Sequence, residues 1–215
     1  MMSSSSRVLA IFSKTPGLSP VKTRLANDVG KEEAQRVFCL CIDTMRTLAT
    51  ELSGKGVHVV WALAEEEALE HPFWSRDKSI HTGQGDLGDR LASVYGRLKA
   101  KYDQVALIGV DAPQLTAGDV LSGFDLLEQH DTVFGPANDG GFYFMAGKKS
   151  VLPTVWNAVE YSQPDTLQNL CKQLKQVGIA TYVTDKVLVD IDTVDDLRHI
   201  MLVDERRIFT QKSVL

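Results

Sequence analysis

The sequence has little cysteine, no paired histidines and no long apolar run, and each shortage closes off a class of protein. Three cysteines in 215 residues, Cys39, Cys41 and Cys171, are an odd number and too few for a disulfide framework. Cys39 and Cys41 stand two apart in a helical-looking stretch, so they face different ways and suit a shared zinc ion poorly. The five histidines are scattered, without an HxxxH or HxH pair. No apolar run approaches the ~20 residues that span a bilayer, so no membrane insertion is expected. The opening Met-Met-Ser-Ser-Ser-Ser lacks the apolar core of a signal peptide and reads as a frayed terminus. Basic residues are in deficit, 23 Lys and Arg against 28 Asp and Glu for a formal charge of −5, which argues against a general nucleic-acid binder. The expectation is a reduced, cytoplasmic protein without a nucleic-acid partner.

What remains is globular in composition, 44% hydrophobic and 24% charged. Strand and helix signals alternate. Val8–Phe12 is a short apolar run ending in a loop with Pro16, Gly17 and Pro20. Residues 31–52 place Ala34, Val37, Phe38, Cys41, Met45, Leu48 and Leu52 at helical spacing. Val57–Leu63 reads as a strand, 65–78 as acidic and irregular, and Ile80–Thr82 as a short strand. A helix is expected from Asp86 to about Tyr102, then a central parallel strand over Val105–Asp111, apolar enough to be buried on both faces. Thr116 is placed to cap a helix to about His130, with Asp119 in the capping-box position. Strands over 131–137 and 142–146, a helix over 164–177, extended segments over 179–183 and 187–191, and a helix over 194–203 complete the reading. Alternating units of this length imply a three-layer α/β/α architecture with a mostly parallel, Rossmann-like sheet. The expected organisation is a disordered 1–6, one domain over 7–203 and a tail over 204–215.

In open α/β sheets ligands bind beyond the carboxyl ends of the strands, so the residues after each strand carry the chemistry. After the first strand, Lys14, Lys22 and Arg24 fall within eleven residues of an acidic chain, beside Gly17. Guanidinium fork, ammonium and accessible backbone suit a polyphosphate, although a solvated basic loop has the same composition. Asp111 leaves the central strand as a hard oxygen ligand for Mg²⁺, or as the start of a turn ahead of Pro113. Asp139-Gly140-Gly141 is either a hairpin turn or a backbone laid against a substrate. In Asp190-Ile191-Asp192 an extended chain would put both carboxylates on one face, while Thr193, Asp195 and Asp196 suit the start of a helix.

The order of these features resembles the nucleotide-diphospho-sugar transferase superfamily, with the glycosyltransferase-A fold. More closely it is similar to the bacterial glycosyltransferases also called radical-SAM/selenodomain-associated transferases. The motifs are KTPGLSPVKTRLA (14–26), QGDLGDRL (84–91), GVDAPQL (109–115), GPANDGGFYF (135–144) and DIDTVDDL (190–197). Glu160-Tyr161-Ser162 departs from the Trp-Ser-Thr usual there. Molybdenum-cofactor and 2-phospho-L-lactate guanylyltransferases are more distant relatives on the same fold. The resemblance implies a nucleotide-diphospho-sugar transferase-type sheet and a Mg²⁺- or Mn²⁺-dependent transferase. Asp111 and Asp192 would hold the metal, with Asp190 the weaker candidate for the second position. Lys14, Gly17, Lys22 and Arg24, with Gln84, Gly85, Asp86 and Arg90, would bind the nucleotide and its phosphates. Gly140 and Gly141 would line the acceptor side, and Asp139, Lys22 and Arg24 would carry catalysis. A nucleotide-sugar donor with an unknown small-molecule acceptor is the first expectation. A nucleotidyltransferase acting on a nucleoside triphosphate is the alternative, and a non-catalytic nucleotide-binding module the third. A homodimer is compatible with the sequence.

Overall fold

The structure is a computed structural model and describes residues 6–199. Residues 1–5 of the expected disordered start over 1–6, and the expected tail over 204–215, lie outside those residues. In chain order the elements are β1 (Arg7–Ser13), α1 (Thr23–Val29), α2 (Lys31–Gly54), β2 (Val57–Leu63), β3 (Ser79–His81), α3 (Leu87–Lys99) and β4 (Gln104–Gly109). Then follow α4 (Ala117–Leu126), β5 (Thr132–Pro136), β6 (Phe142–Gly147), α5 (Pro153–Trp156), α6 (Thr166–Gln176) and β7 (Thr181–Val183).

The seven strands form one sheet in the order β3-β2-β1-β4-β6-β5-β7. β1 lies parallel between β2 and β4, as an uninterrupted apolar run buried on both faces requires. β6 is antiparallel to both β4 and β5, so the sheet is mostly rather than wholly parallel. Alternation along β1 splits the core. Leu9 and Ile11 face α2 and α4 through Phe38, Ile42, Met45 and Phe124, whereas Val8 and Ala10 face α3, α5 and α6 through Val94, Tyr95, Trp156 and Leu170. That is the expected three-layer arrangement. No helix among the described residues is long and apolar enough to cross a membrane.

Local chemistry sets the helix starts. Thr116 and Asp119 form a full capping box on α4, and Asp86 with Asp89 forms one on α3. α4 stops at Leu126 and α3 at Lys99, short of the expected ends. The irregular 65–78 contains two 3₁₀ turns, Glu67–Glu70 and Pro72–Trp74. The expected helix over 194–203 begins as a 3₁₀ turn, Val194–Leu197, capped by Thr193 and Asp196, and its end lies outside the described residues. The expected extended segment over 187–191 makes one bridge, Leu188 beside Ala137, and is no strand. α1 has no counterpart in the sequence reading. It is seven residues long and starts from Lys22 without a side-chain cap, so neither periodicity nor a cap signals it.

A third small core matters most for the site. Leu25 of α1 packs with Ala34, Val37 and Cys41 of α2 and with the fully buried Ile191. The Ile191 amide donates to the Asp111 carbonyl at 2.9 Å. Those contacts bring the late Asp190–Asp192 segment to the end of β4.

Candidate active site

Three chain segments meet at the carboxyl end of β1 and β4. Lys22 stands at the head of α1 with φ 47° and ψ 46°, a left-handed conformation that a non-glycine residue adopts only when its surroundings demand it. Its side chain is 2% exposed, and the ammonium is ion-paired with Asp111 and lies 3.4 Å from Asp192 Oδ1. The two carboxylates are half-exposed and converge on this one buried cation. Burial works against the Lys22 charge, but the Asp111 carboxylate more than restores it, and its pKa lies above the ordinary lysine value. Asp190, by contrast, has its carboxyl pushed up to about 7 by burial and by the negative charges of Asp111, Asp139 and Asp192.

On either side of Asp111 and Asp192 lies a cavity. The first, about 410 Å³, takes its polar wall from Lys14, Lys22, Arg24 and Arg90. Lys14 Nζ reaches back to the Pro20 carbonyl at 3.2 Å, closing the loop around Gly17, whose φ of 89° only glycine adopts freely. Arg90 is anchored by the carbonyls of Gly85 and Ala64 at 3.1 and 3.2 Å, which aims its guanidinium inward rather than to solvent. The second cavity, about 360 Å³, lies between β4, β6 and the α5–α6 loop. Asp111, Asp139, Asp190 and Asp192 line it with Phe142, Tyr161 and Gln163. Phe12 and Leu87 border both cavities and form the partition between them.

Of the residues singled out from sequence, the structure brings Lys14, Lys22, Arg24, Arg90, Asp111 and Asp192 to the first cavity, and Asp139 and Gly141 to the second. Gln84, Gly85 and Asp86 stand outside both walls, and the Asp86 carboxylate is engaged in capping α3. Gly140 serves packing: its φ is 88°, and a Cβ there would lie 1.9 Å from the Pro164 carbonyl oxygen. The Asp139 side chain accepts from the Gly141 amide at 2.9 Å, so the turn is a hairpin and a cavity wall at once. Sequence reasoning missed Tyr161, Ser162, Gln163 and Thr166. Their residue types are unremarkable, and the departure at Glu160-Tyr161-Ser162 was the one signal there.

The remaining candidates carry less. A groove of about 1,000 Å³ beside the start of β2 is lined by Arg46 and Asp77, which are spent on each other at 2.9 Å. The three thiols are unpaired, and burial raises each pKa, Cys41 to about 12, so none is poised as a thiolate. Among the described residues no group of three or more His, Cys, Asp or Glu is arranged to hold a metal ion.

Sheet order, helical layers and a cleft at the strand ends define a protein of the nucleotide-diphospho-sugar transferase fold. The chain belongs to the family described as an uncharacterized protein conserved in bacteria (DUF2064), whose match spans residues 44–163. It is similar to a protein of Desulfovibrio desulfuricans G20 provisionally named as a nucleotide-diphospho-sugar transferase, at 25% identity and a TM-score of 0.78, over 90% of this chain and 85% of that one. It shares its fold with a 4-diphosphocytidyl-2C-methyl-D-erythritol synthase from Anaerococcus prevotii, at 11% identity and a TM-score of 0.59, over 93% and 96% of the two chains. A CMP:2-keto-3-deoxy-manno-octonic acid synthetase complexed with CTP matches at 16% identity and a TM-score of 0.54, over 94% and 100%. No curated protein matches the chain. Fold and neighbours together make it a transferase in the coarse sense.

Proposed function

We propose that the chain is a Mg²⁺- or Mn²⁺-dependent transferase that binds a nucleotide-diphosphate-sugar and moves the sugar to a small acceptor. The observation that carries this reading is the convergence of Asp111 and Asp192 on one buried cation, between a basic cavity and an acidic one. Mg²⁺ is characteristically held by one or two carboxylates, with phosphate oxygens and water completing its shell. The half-exposed Asp111 and Asp192 fit that role, and the Lys22 ammonium shows that their locus favours positive charge. When bound there, the ion would neutralise phosphate oxygens as charge grows on the leaving group.

The chain's own residues do the rest. Lys14, Arg24 and Arg90 hold the diphosphate in the basic cavity, and Lys22, released from the carboxylates, stabilises the departing charge. Asp139, with one oxygen engaged by the Gly141 amide, takes the proton of the acceptor hydroxyl. The bond from the anomeric carbon to the diphosphate oxygen breaks, the bond to the acceptor oxygen forms, and a nucleoside diphosphate leaves.

Nucleotidyl transfer is the second reading, favoured by the likeness in fold to two synthases named for cytidylyl products. There the acceptor oxygen attacks the α-phosphorus of a triphosphate and pyrophosphate leaves. Both reactions need the same phosphate grip. A thermal-shift screen of triphosphates and nucleotide-sugars, each with Mg²⁺, Mn²⁺ or EDTA, separates them. A ligand at 100 times its dissociation constant adds about 2.7 kcal/mol, a shift on the order of 5–10 °C for a domain of this size. A metal-dependent shift with a nucleotide-sugar is the expected result. A shift with triphosphates alone favours nucleotidyl transfer, and one that survives EDTA favours a binding module. No shift with any of them overturns the reading.

A further inference from the structure

The basic cavity presents Lys14, Arg24 and Arg90, whereas the second cavity's wall contains no lysine, arginine or histidine. Its titratable groups are four carboxyl groups, and with Asp111 and Asp192 neutralised by a cation the Asp139 carboxylate remains, beside the Asp190 carboxyl. A phosphate or carboxylate placed there would meet the like charge of Asp139 with no lysine, arginine or histidine in the wall to offset it. The neutral surface is of a different kind. Tyr161 and Phe142 offer flat apolar faces, the exposed Gln163 and Ser162 side chains make no hydrogen bond among the described residues, and Asp139 keeps an oxygen free to accept from hydroxyls. Aromatic faces beside carboxylate and amide groups bind polyhydroxylated rings through their C–H faces and hydroxyl edges.

We propose that the second cavity is a subsite for an uncharged or amino-bearing sugar-like ring and excludes phosphorylated and carboxylated ones. The inference rests on the transferase reading only in assuming that the two cavities serve one reaction. It assigns the charged part of the substrate pair to one side of the Phe12–Leu87 partition and the uncharged part to the other.

The test is a heteronuclear NMR titration of the full chain with Mg²⁺, using glucose, glucosamine, glucuronate and glucose 6-phosphate as probes. It is read at the amides of Gly141, Gln163 and Thr166. Glucose and glucosamine should shift these amides, and the two anions should do so at least about tenfold more weakly, as repulsion by one or two near charges requires. Gln163→Lys plants a cation in an exposed position of the wall and should raise glucuronate affinity about tenfold. Glucuronate or glucose 6-phosphate acting as strongly as glucose overturns the inference, and so does silence with all four probes. A parallel titration with UDP and CTP is read at the amides of Lys14, Arg24 and Arg90. Failure of that arm alone sinks the nucleotide reading and leaves the ring subsite standing.

Discussion

The two halves of the cleft are built in opposite ways. The basic half draws Lys14, Lys22 and Arg24 from one stretch that runs from the end of β1 into the first turn of α1 and adds Arg90 from α3. The acidic half is assembled from the end of β4, the β5–β6 turn, the loop before α6 and the segment after β7. The first half gathers its cations by local sequence, and the second places its groups through tertiary packing. Asp111 and Asp192 belong to both, with Lys22 pinned between them.

The largest expected effect comes from the shared centre. Asp111→Asn should lower turnover at saturating metal by at least about 10²–10³-fold, the usual cost of losing one electrostatic contact to the transition state. Circular dichroism should show the fold intact, and unchanged turnover would detach the centre from the chemistry. Next comes the basic half alone. Arg24→Ala should raise KM for the nucleotide about tenfold and leave acceptor KM unchanged, because Arg24 is exposed and makes no ion pair among the described residues. A shift in acceptor KM instead would break the division between halves.

Gly140→Ala probes the acidic half through its frame. The left-handed backbone and the Pro164 carbonyl leave no room for a methyl, so stability should fall by at least about 1 kcal/mol and acceptor KM should rise more than nucleotide KM. Denaturant unfolding and steady-state kinetics read both. The smallest effect serves as the background for the other three. Asp131 sits at the start of β5, away from the cleft, where the Lys149 ammonium and the Ala180 amide hold its carboxyl below the usual range. A depressed folded pKa gives stability that is present above the unfolded value near 3.9 and lost as pH falls through the folded one. Asp131→Asn should therefore cost about 1 kcal/mol at pH 7 and almost nothing at pH 2, with metal present or absent. An equal loss at both pH values would refute the charge as its cause.

The sequence was most legible where chemistry is local. The apolar run of β4, the Thr116–Asp119 box and the cations after β1 each carry their reason within a dozen residues. The residues 187–191 join no ladder because the apolar alternation there serves Ile191's packing on α1 and α2 and one bridge at Leu188. Gln84 and Asp86 drew attention through their motif, yet Asp86 spends its carboxylate on a cap. Gln163 carried no signal and Tyr161 only its departure from the usual motif, because their place depends on Gly140 meeting Pro164, a contact between residues 24 positions apart. The Lys22 pairing was hidden for the same reason: its partners lie 89 and 170 positions away.

The most direct test of the centre is paramagnetic broadening by Mn²⁺ in the nucleotide-bound, ¹⁵N-labelled protein. Broadening should be strongest at the amides of Val110, Asp111 and Asp192 and should be lost in Asp111→Asn. Broadening centred elsewhere, or unchanged in that variant, would contradict that centre.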